Sequence, residues 1–432
     1  MDNKKLKVVW ICSVSNETLR HHLDFSVPLW HRVIRSIVGS TGIQETDYAH
    51  WNTNAIEEFE KFDDVDLHVI FVHGGMRRWL QCFEERGIHY YAVSKGDTTF
   101  STFVCVHLLK KEPSYGKTHR IIAHIVNDLH PDLIHVMGAE NPPYSPSVFL
   151  LPKDIPIIVT LQTMLQESKT VELQPQLRLQ QACERDVLMR ADYIGSRSKV
   201  FLQIARKYVK ENVTFVNARL LLGEKANYEP CDKHFDFVYF ASYISKAIDL
   251  AIEAFGLAYK KNTSLTLDVI GSASEEELKR LNSRLDELGC RDAVTIEGKL
   301  TTHEDVLAQI RKSRFALLPL KIDAVSGTIR EAMWNGLPVV STITTGSPIL
   351  NQTRESALLS PIGDHEAMAT NMIRLTRNPD LAVRLMKNAA ITVEELYGNN
   401  ALNARIWVDV YKACIENYGY GTPLPESVHF NI

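Results

Sequence analysis

The 432-residue sequence lacks several features that would each fix a function class. No run of about 18 apolar residues occurs, so no helix is expected to span a membrane. The N-terminus passes from Met-Asp-Asn-Lys-Lys-Leu-Lys into the short apolar run at residues 8–12, with no signal-like apolar region or small-residue cleavage site. The expected location is the cytoplasm. The seven cysteines (Cys12, Cys82, Cys105, Cys183, Cys231, Cys290, Cys414) are odd in number, scattered, and form no CxxC pair. That excludes a disulfide framework and a zinc ribbon. A basic excess is also missing: 48 Lys and Arg stand against 52 Asp and Glu, so no nucleic-acid partner is expected. Neither HxxxH nor HExxH appears, and His21 and His22 are adjacent, so no metal ligand set is expected.

What is present is a βαβ pattern. Short apolar runs alternate with amphipathic stretches, which implies parallel sheets covered by helices. Strands are expected at 7–12, 67–72, 90–92, 133–137, 155–161 and 193–195. In the second half they fall at 237–240, 265–270, 294–297, 315–319, 338–340 and 357–359. Helices are expected between them, among them 55–62, 79–86, 117–129, 177–190, 246–260, 275–288, 303–313 and 328–335. Length and pattern divide the chain into two Rossmann-like domains at 1–222 and 223–400. A C-terminal helix and tail at 401–432 is expected to cross back to the first domain, with residues 223–234 as the linker. Twelve of the sixteen histidines lie in residues 1–220, which carry a net charge of +1 (26 − 25) against −5 (22 − 27) for the rest.

The most informative segment runs from Leu318-Pro319 through Asp323, Ser326-Gly327-Thr328, Arg330-Glu331 and Gly336 to Pro338. It reads as strand, turn, helix, glycine stop and strand. Ser326, Gly327 and Thr328 would open the helix, whose free N–H groups and dipole suit a phosphate or diphosphate. Glu331, one turn in, can accept two hydrogen bonds from a ribose diol. Asp323 on the loop can receive sugar hydroxyls.

On these residues the sequence resembles the GT-B glycosyltransferases, more narrowly the retaining family numbered four, and within it a group of Bacteroides-type bacterial enzymes. Two acids separated by seven residues (Asp323 and Glu331), Ala332, Gly336-x-Pro338 and an apolar strand carry the likeness. Ser15-Asn16-Glu17, Arg20-His-His-Leu and residues 52–69 extend it. The resemblance implies two Rossmann-like domains facing each other across a cleft and a hexose-type transfer from a nucleotide diphosphate sugar. It implies catalytic roles for Asp323, Glu331 and Glu140. Donor contacts would come from Lys246, Ser326, Gly327, Thr328, Arg330, Asn16, and the backbone of Lys299 and Leu300 beside the base. Gly138, Gln162 and Arg197 would line the acceptor side.

Three departures stand out, the first being Asp323 where the family carries Glu. Ala241 sits where the family carries a phosphate-binding arginine, for which Arg330 or Arg197 is a substitute, and no Gly-Gly follows the first strand at Asn16. No metal or other cofactor is required, because Lys246 and the helix dipole can neutralise a diphosphate. The implied partners are a nucleotide-sugar donor and a saccharide or lipid-linked acceptor in bacterial surface polysaccharide synthesis. Met76-Arg77-Arg78-Trp79 leaves open a peripheral contact with the inner membrane face, the alternative being Trp79 in the core. A nucleotide-sugar epimerase and a catalytically weak binding or scaffold protein are the competing readings.

Overall fold

The computed structural model describes residues 5–25, 47–97, 114–167, 177–196, 198–217, 231–243, 247–321, 326–344 and 346–430. The chain forms two compact units, one made of Met1–Gly223 with Asn399–Ile432, the other of Glu224–Gly398.

The first unit holds β1 (Leu6–Cys12), α1 (Glu17–His21), α2 (His50–Phe59), β2 (Val65–His73), β3 (Leu80–Glu85), β4 (Ile88–Ser94), α3 (Gly116–Leu129), β5 (Leu133–Met137), β6 (Ile157–Thr160), α4 (Arg178–Arg190), β7 (Tyr193–Gly195), α5 (Lys199–Ala205) and β8 (Thr214–Val216). Its sheet runs β3-β4-β2-β1-β5-β6-β7-β8. All pairings are parallel except that of β3 with β4. The central strands are buried along nearly their whole length, as a sheet covered on both faces requires.

The second unit holds β9 (Phe235–Tyr243), α6 (Ile248–Lys261), β10 (Leu267–Ser272), α7 (Glu275–Leu288), β11 (Val294–Gly298), α8 (His303–Ile310), β12 (Ser313–Leu317), α9 (Gly327–Trp334), β13 (Val339–Ile343), β14 (Ala357–Pro361), α10 (His365–Arg377) and α11 (Pro379–Tyr397). Its sheet runs β11-β10-β9-β12-β13-β14, with every pairing parallel. Local chemistry sets the helix starts. Ser274 with Glu277, and Thr302 with Asp305, form reciprocal capping boxes that satisfy first-turn donors of α7 and α8. At Gly256 a Cβ would stand 3.1 Å from the Leu288 side chain, so α6 and α7 approach closely enough that an alanine would need Leu288 to shift by a few tenths of an ångström.

One expected helix is a strand. Residues 80–85 form β3, whose exposure alternates residue by residue, paired antiparallel with β4. The cause is the two-residue turn at Arg86-Gly87, where both residues have positive φ (50° and 78°), the geometry that closes a tight hairpin. Trp79, just before it, lies against Gly96 and beneath the Lys117 ammonium at 3.9 Å, while Met76 is fully buried. The short edge strand β8 also went unread in the sequence.

The last helix, α12 (Asn400–Tyr420), packs on the first unit through Ala404, Trp407, Val408, Tyr411 and Cys414. Trp10 Nε1–H donates to the Tyr411 hydroxyl at 3.0 Å, which lies 2.6 Å from His135 Nδ1, and His135 Nε2 lies 2.6 Å from Thr160 Oγ1. One tautomer satisfies this chain: Tyr411 donates to Nδ1 and Nε2–H donates to Thr160. Burial pushes His135 down to about 3, so the imidazole stays neutral. Outside the core, Asp64 pairs with Arg405 at 3.0 Å and Lys412 at 3.2 Å. Beyond the helix, His429 bridges Val216 and Phe430 N–H donates to Phe215 O, covering the β8 edge.

Removing the Tyr411 hydroxyl leaves the buried Trp10 Nε1–H and His135 Nδ1 without a partner. Tyr411→Phe should therefore cost about 1–3 kcal/mol in urea unfolding. A change below ~0.5 kcal/mol would show that the hydroxyl carries no such role.

Candidate functional site

In each unit the strand order reverses at one point, and open α/β sheets bind ligands outside the carboxyl ends of the strands there. In the first sheet that point is between β1 and β5; in the second it is between β9 and β12. Asn16 follows β1, Gly138 and Glu140 follow β5, and Ser326 to Glu331 follow β12.

In the second unit Ser326 is the N-cap of α9, its hydroxyl accepting from Ile329 N at 3.3 Å and lying 2.8 Å from Thr328 Oγ1. This leaves the Gly327 and Thr328 N–H groups outside that cap, at the positive end of the helix dipole. A Cβ on Gly327 would stand 3.9 Å from Arg330 Nη2 and 4.0 Å from Glu331 Oε1, so both side chains turn back toward the helix start. Arg330 is buried, with its guanidinium 4.7 Å from the centroid of the Tyr397 ring. Its Nε has no hydrogen-bond partner, and no carboxylate pairs with it among the described residues. Glu331 is partly exposed, and His303 at the start of α8 places Nε2 3.7 Å from its Oε1. The loop leading into His303 carries Lys299, which is exposed, and Leu300, which is half-buried. Asp323, Lys246 and Arg197 lie outside the described residues.

In the first unit Gly138 has φ +93°, and a Cβ there would meet Asn141 Nδ2 at 2.5 Å, Gln162 Oε1 at 3.0 Å and Glu140 Oε1 at 3.2 Å. The glycine thus lets Glu140, Asn141 and Gln162 converge, and Asn141 donates to Glu140 at 3.1 Å. Gln162 Nε2 is buried without a hydrogen-bond partner among the described residues, as is Thr163 Oγ1. Tyr144 and Ser145 fix the loop by donating to Met137 O at 2.6 Å and Gly138 O at 2.7 Å. Asn16 is occupied locally: its side chain caps α1 by accepting from Leu19 N at 2.9 Å.

Three groups had no signal in the sequence beyond their position. His73 ends β2, with Nδ1 2.6 Å from Gly74 O and Nε2 3.2 Å from Ser15 Oγ; burial lowers its pKa, so it is a neutral imidazole beside the loop after β1. Lys95 follows β4, and burial lowers its pKa against the opposing pull of Asp97. Glu184 on α4 is fully buried and accepts from Leu165 N, Gln166 N and Gln166 Nε2, all at 3.0 Å, clamping the loop that follows Gln162.

The architecture of two parallel-sheet α/β units is that of the GT-B glycosyltransferases. A trehalose 6-phosphate synthase from Burkholderia multivorans matches it with a TM-score of 0.65 at 12% identity, over 97% of this chain and 99% of that one. Sucrose-phosphate synthase from Thermosynechococcus elongatus gives 0.64 at 14% identity, over 94% and 98%. Residues 234–378 match the family described as Glycosyl transferases group 1. The WcaL proteins of Salmonella typhimurium and Escherichia coli, named for a glycosyltransferase of colanic acid biosynthesis, are 25% and 26% identical over 168 residues. The alignments span 37% of this chain and 41% of those relatives.

Two outcomes test this geometry. Gly138→Ala should cost about 1–3 kcal/mol, because its φ disfavours any side chain and Asn141 must move; an unchanged urea midpoint would refute the close approach. Burial raises the Glu184 carboxyl from 4.5 to about 7, against the donors that lower it. The native state then binds more protons than the unfolded chain, so this group's contribution to stability falls as pH rises from about 4.5 to about 7. Glu184→Gln should lack that slope, and an identical slope in urea titrations of both proteins would count against the assignment.

Proposed function

We propose that this chain is a retaining glycosyltransferase that moves a hexose-type sugar from a nucleotide diphosphate donor to a saccharide or lipid-linked acceptor. The observation that carries the reading is the buried Arg330 beside the α9 N-terminus, which pairs with no carboxylate among the described residues, within a segment matching the group 1 glycosyltransferases. Those two positive groups suit a diphosphate, and Glu331 one turn in suits a ribose diol. Asp323 and Lys246 complete the donor site in this reading, with Lys299 and Leu300 at the base, and Arg197 assists on the acceptor side. The donor pattern agrees with neighbours such as Anabaena HepE, described in complex with UDP (TM-score 0.58, 13% identity, 94% of this chain and 100% of that one).

In the first unit, Glu140 and Gln162 around Gly138 receive sugar hydroxyls. The buried Gln162 Nε2 is a donor that a hydroxyl would satisfy. Transfer with retention has the acceptor oxygen attack the anomeric carbon on the face from which the diphosphate departs, while the acceptor proton passes to the leaving phosphate. The protein contributes positioning and fixed charge. The charge on the leaving group is met by Arg330, Lys246 and the helix N-terminus, so the reading needs no metal in the transfer step. The WcaL likeness, through the colanic acid biosynthesis in that name, supports a polysaccharide as the product, and the proposed place of work is the cytoplasm in peripheral contact with the inner membrane face. Among the described residues no helix is long and apolar enough to cross a membrane.

Thermal stabilisation by UDP, GDP, CDP, ADP and dTDP tests the donor site. One nucleotide should stabilise selectively, by about 2.7 kcal/mol at a hundredfold excess over Kd. Glu331→Ala should abolish the shift. Arg330→Leu should weaken the diphosphate roughly ten- to a hundredfold, the loss of one charge-assisted contact. No shift with any nucleotide, in a folded sample, would overturn the reading and favour a scaffold role.

A further inference from the structure

We propose that the first unit carries a divalent transition-metal site of the zinc class, formed by Asp66 and His68 on β2 and His89 on β4. It stands apart from the sugar-transfer reading. Asp66 and His68 are two residues apart on one strand and so face the same side of the sheet. His89 is the register partner of His68 on the parallel neighbour. One ligand atom from each of the three lies within 4.8 Å of the others.

The nitrogen geometry favours coordination over a simple ion pair. His68 Nε2 lies 3.3 Å from Asp66 Oδ1, and His89 Nε2 lies 3.8 Å from the same oxygen. Those separations bracket the ~3.4 Å ligand–ligand edge of a tetrahedron with ~2.1 Å bonds. His68 is nine-tenths buried or more, yet its Nε2 makes no hydrogen bond, because the approach to Asp66 is close without being aligned. On the far side of each ring the other nitrogen already has a polar neighbour: His68 Nδ1 lies 3.1 Å from the Tyr91 hydroxyl, and His89 Nδ1 lies 3.5 Å from Glu84 Oε2. With Tyr91 and Glu84 accepting from Nδ1–H, each Nε2 presents its lone pair, which is how metal-binding imidazoles are oriented.

Two imidazoles and one carboxylate suit zinc-like ions and leave a fourth position to water. His89 is stacked on His68 with ring centroids 4.7 Å apart and is the more exposed of the two, so it is the ring with room to adjust toward an ion. The three ligands sit in the first residues of β2 and β4, whereas His73 ends β2, so the ion lies at the opposite strand ends from the loops of the candidate site. Through Glu84, the partner of His89 on β3, it would tie the edge hairpin to the sheet. The site therefore takes a structural cation.

The test is titration of chelator-stripped, tag-free full-length protein with Co2+, followed by its visible ligand-field absorption, with Zn2+ competition and thermal unfolding alongside. One ion per chain should bind, Zn2+ should displace it, and either metal should raise the melting temperature. His89→Ala and the isosteric Asp66→Asn should each weaken binding about tenfold or more while keeping the native circular dichroism. His124→Ala, which removes an exposed surface pair with Asp128, should change nothing. Absence of the absorption band, equal affinity in His89→Ala and Asp66→Asn, or loss in His124→Ala instead would overturn the proposal.

Discussion

The first unit depends on a buried polar chain that joins its two sequence-distant parts. Trp10 on β1, Tyr411 on α12, His135 on β5 and Thr160 on β6 are linked end to end, and every polar atom in the chain has one assigned role. Around it Trp10 meets Phe59 at 4.7 Å and Trp407 at 5.5 Å in edge-to-face contacts. Apolar burial alone would let a helix such as α12 slide or rotate on the sheet at little cost. A single satisfied network in a low-dielectric core has one register, because any shift strands several donors at once. The consequence reaches the site, since His135 and Thr160 belong to the strands whose ends present Gly138 and Gln162.

Position along a parallel strand then sorts the chemistry. Gln162, His73 and Lys95, each with an unmet or perturbed polar atom, stand at or just after strand ends, where loops leave the sheet. Rigidity there comes from behind. Tyr144 and Ser145 donate back to strand-end carbonyls, Glu184 collects three donors from the loop after β6, and Asp97 accepts from Gly75. Each clamp satisfies backbone groups that would otherwise need water, so the loops hold their shape while the side chains facing outward stay available.

The fold class was legible because its signals are local and repeated: apolar strands, amphipathic helices and caps such as Ser274-x-x-Glu277 all point the same way. The segment at 80–85 was not, because Trp-Leu-Gln-Cys-Phe suits either period and the deciding signal was the Arg86-Gly87 turn behind it. The site was legible where one continuous stretch makes it, as at Ser326–Glu331. It was illegible where strands bring distant residues together. His303 beside Glu331, His73 beside Ser15, and His68 beside His89 are products of register and topology, which no spacing within one sequence exposes.

Arg330 shows how such a stretch can still hold more than its pattern. A buried guanidinium without a carboxylate is costly, and the positive end of a helix dipole beside it adds to the cost rather than relieving it. The Tyr397 ring face offsets part of this by a cation–π contact, worth about 2 kcal/mol when desolvated. The remainder is unfavourable for the chain alone, and an anion between the guanidinium and the Gly327 backbone would offset it. Ala241, packed against the core of the second unit, offers no charge at the end of β9. Within the described part of this unit's switch point, Lys321 after β12 is paired with Asp249 at 2.7 Å, whereas Arg330 on α9 pairs with no carboxylate among the described residues.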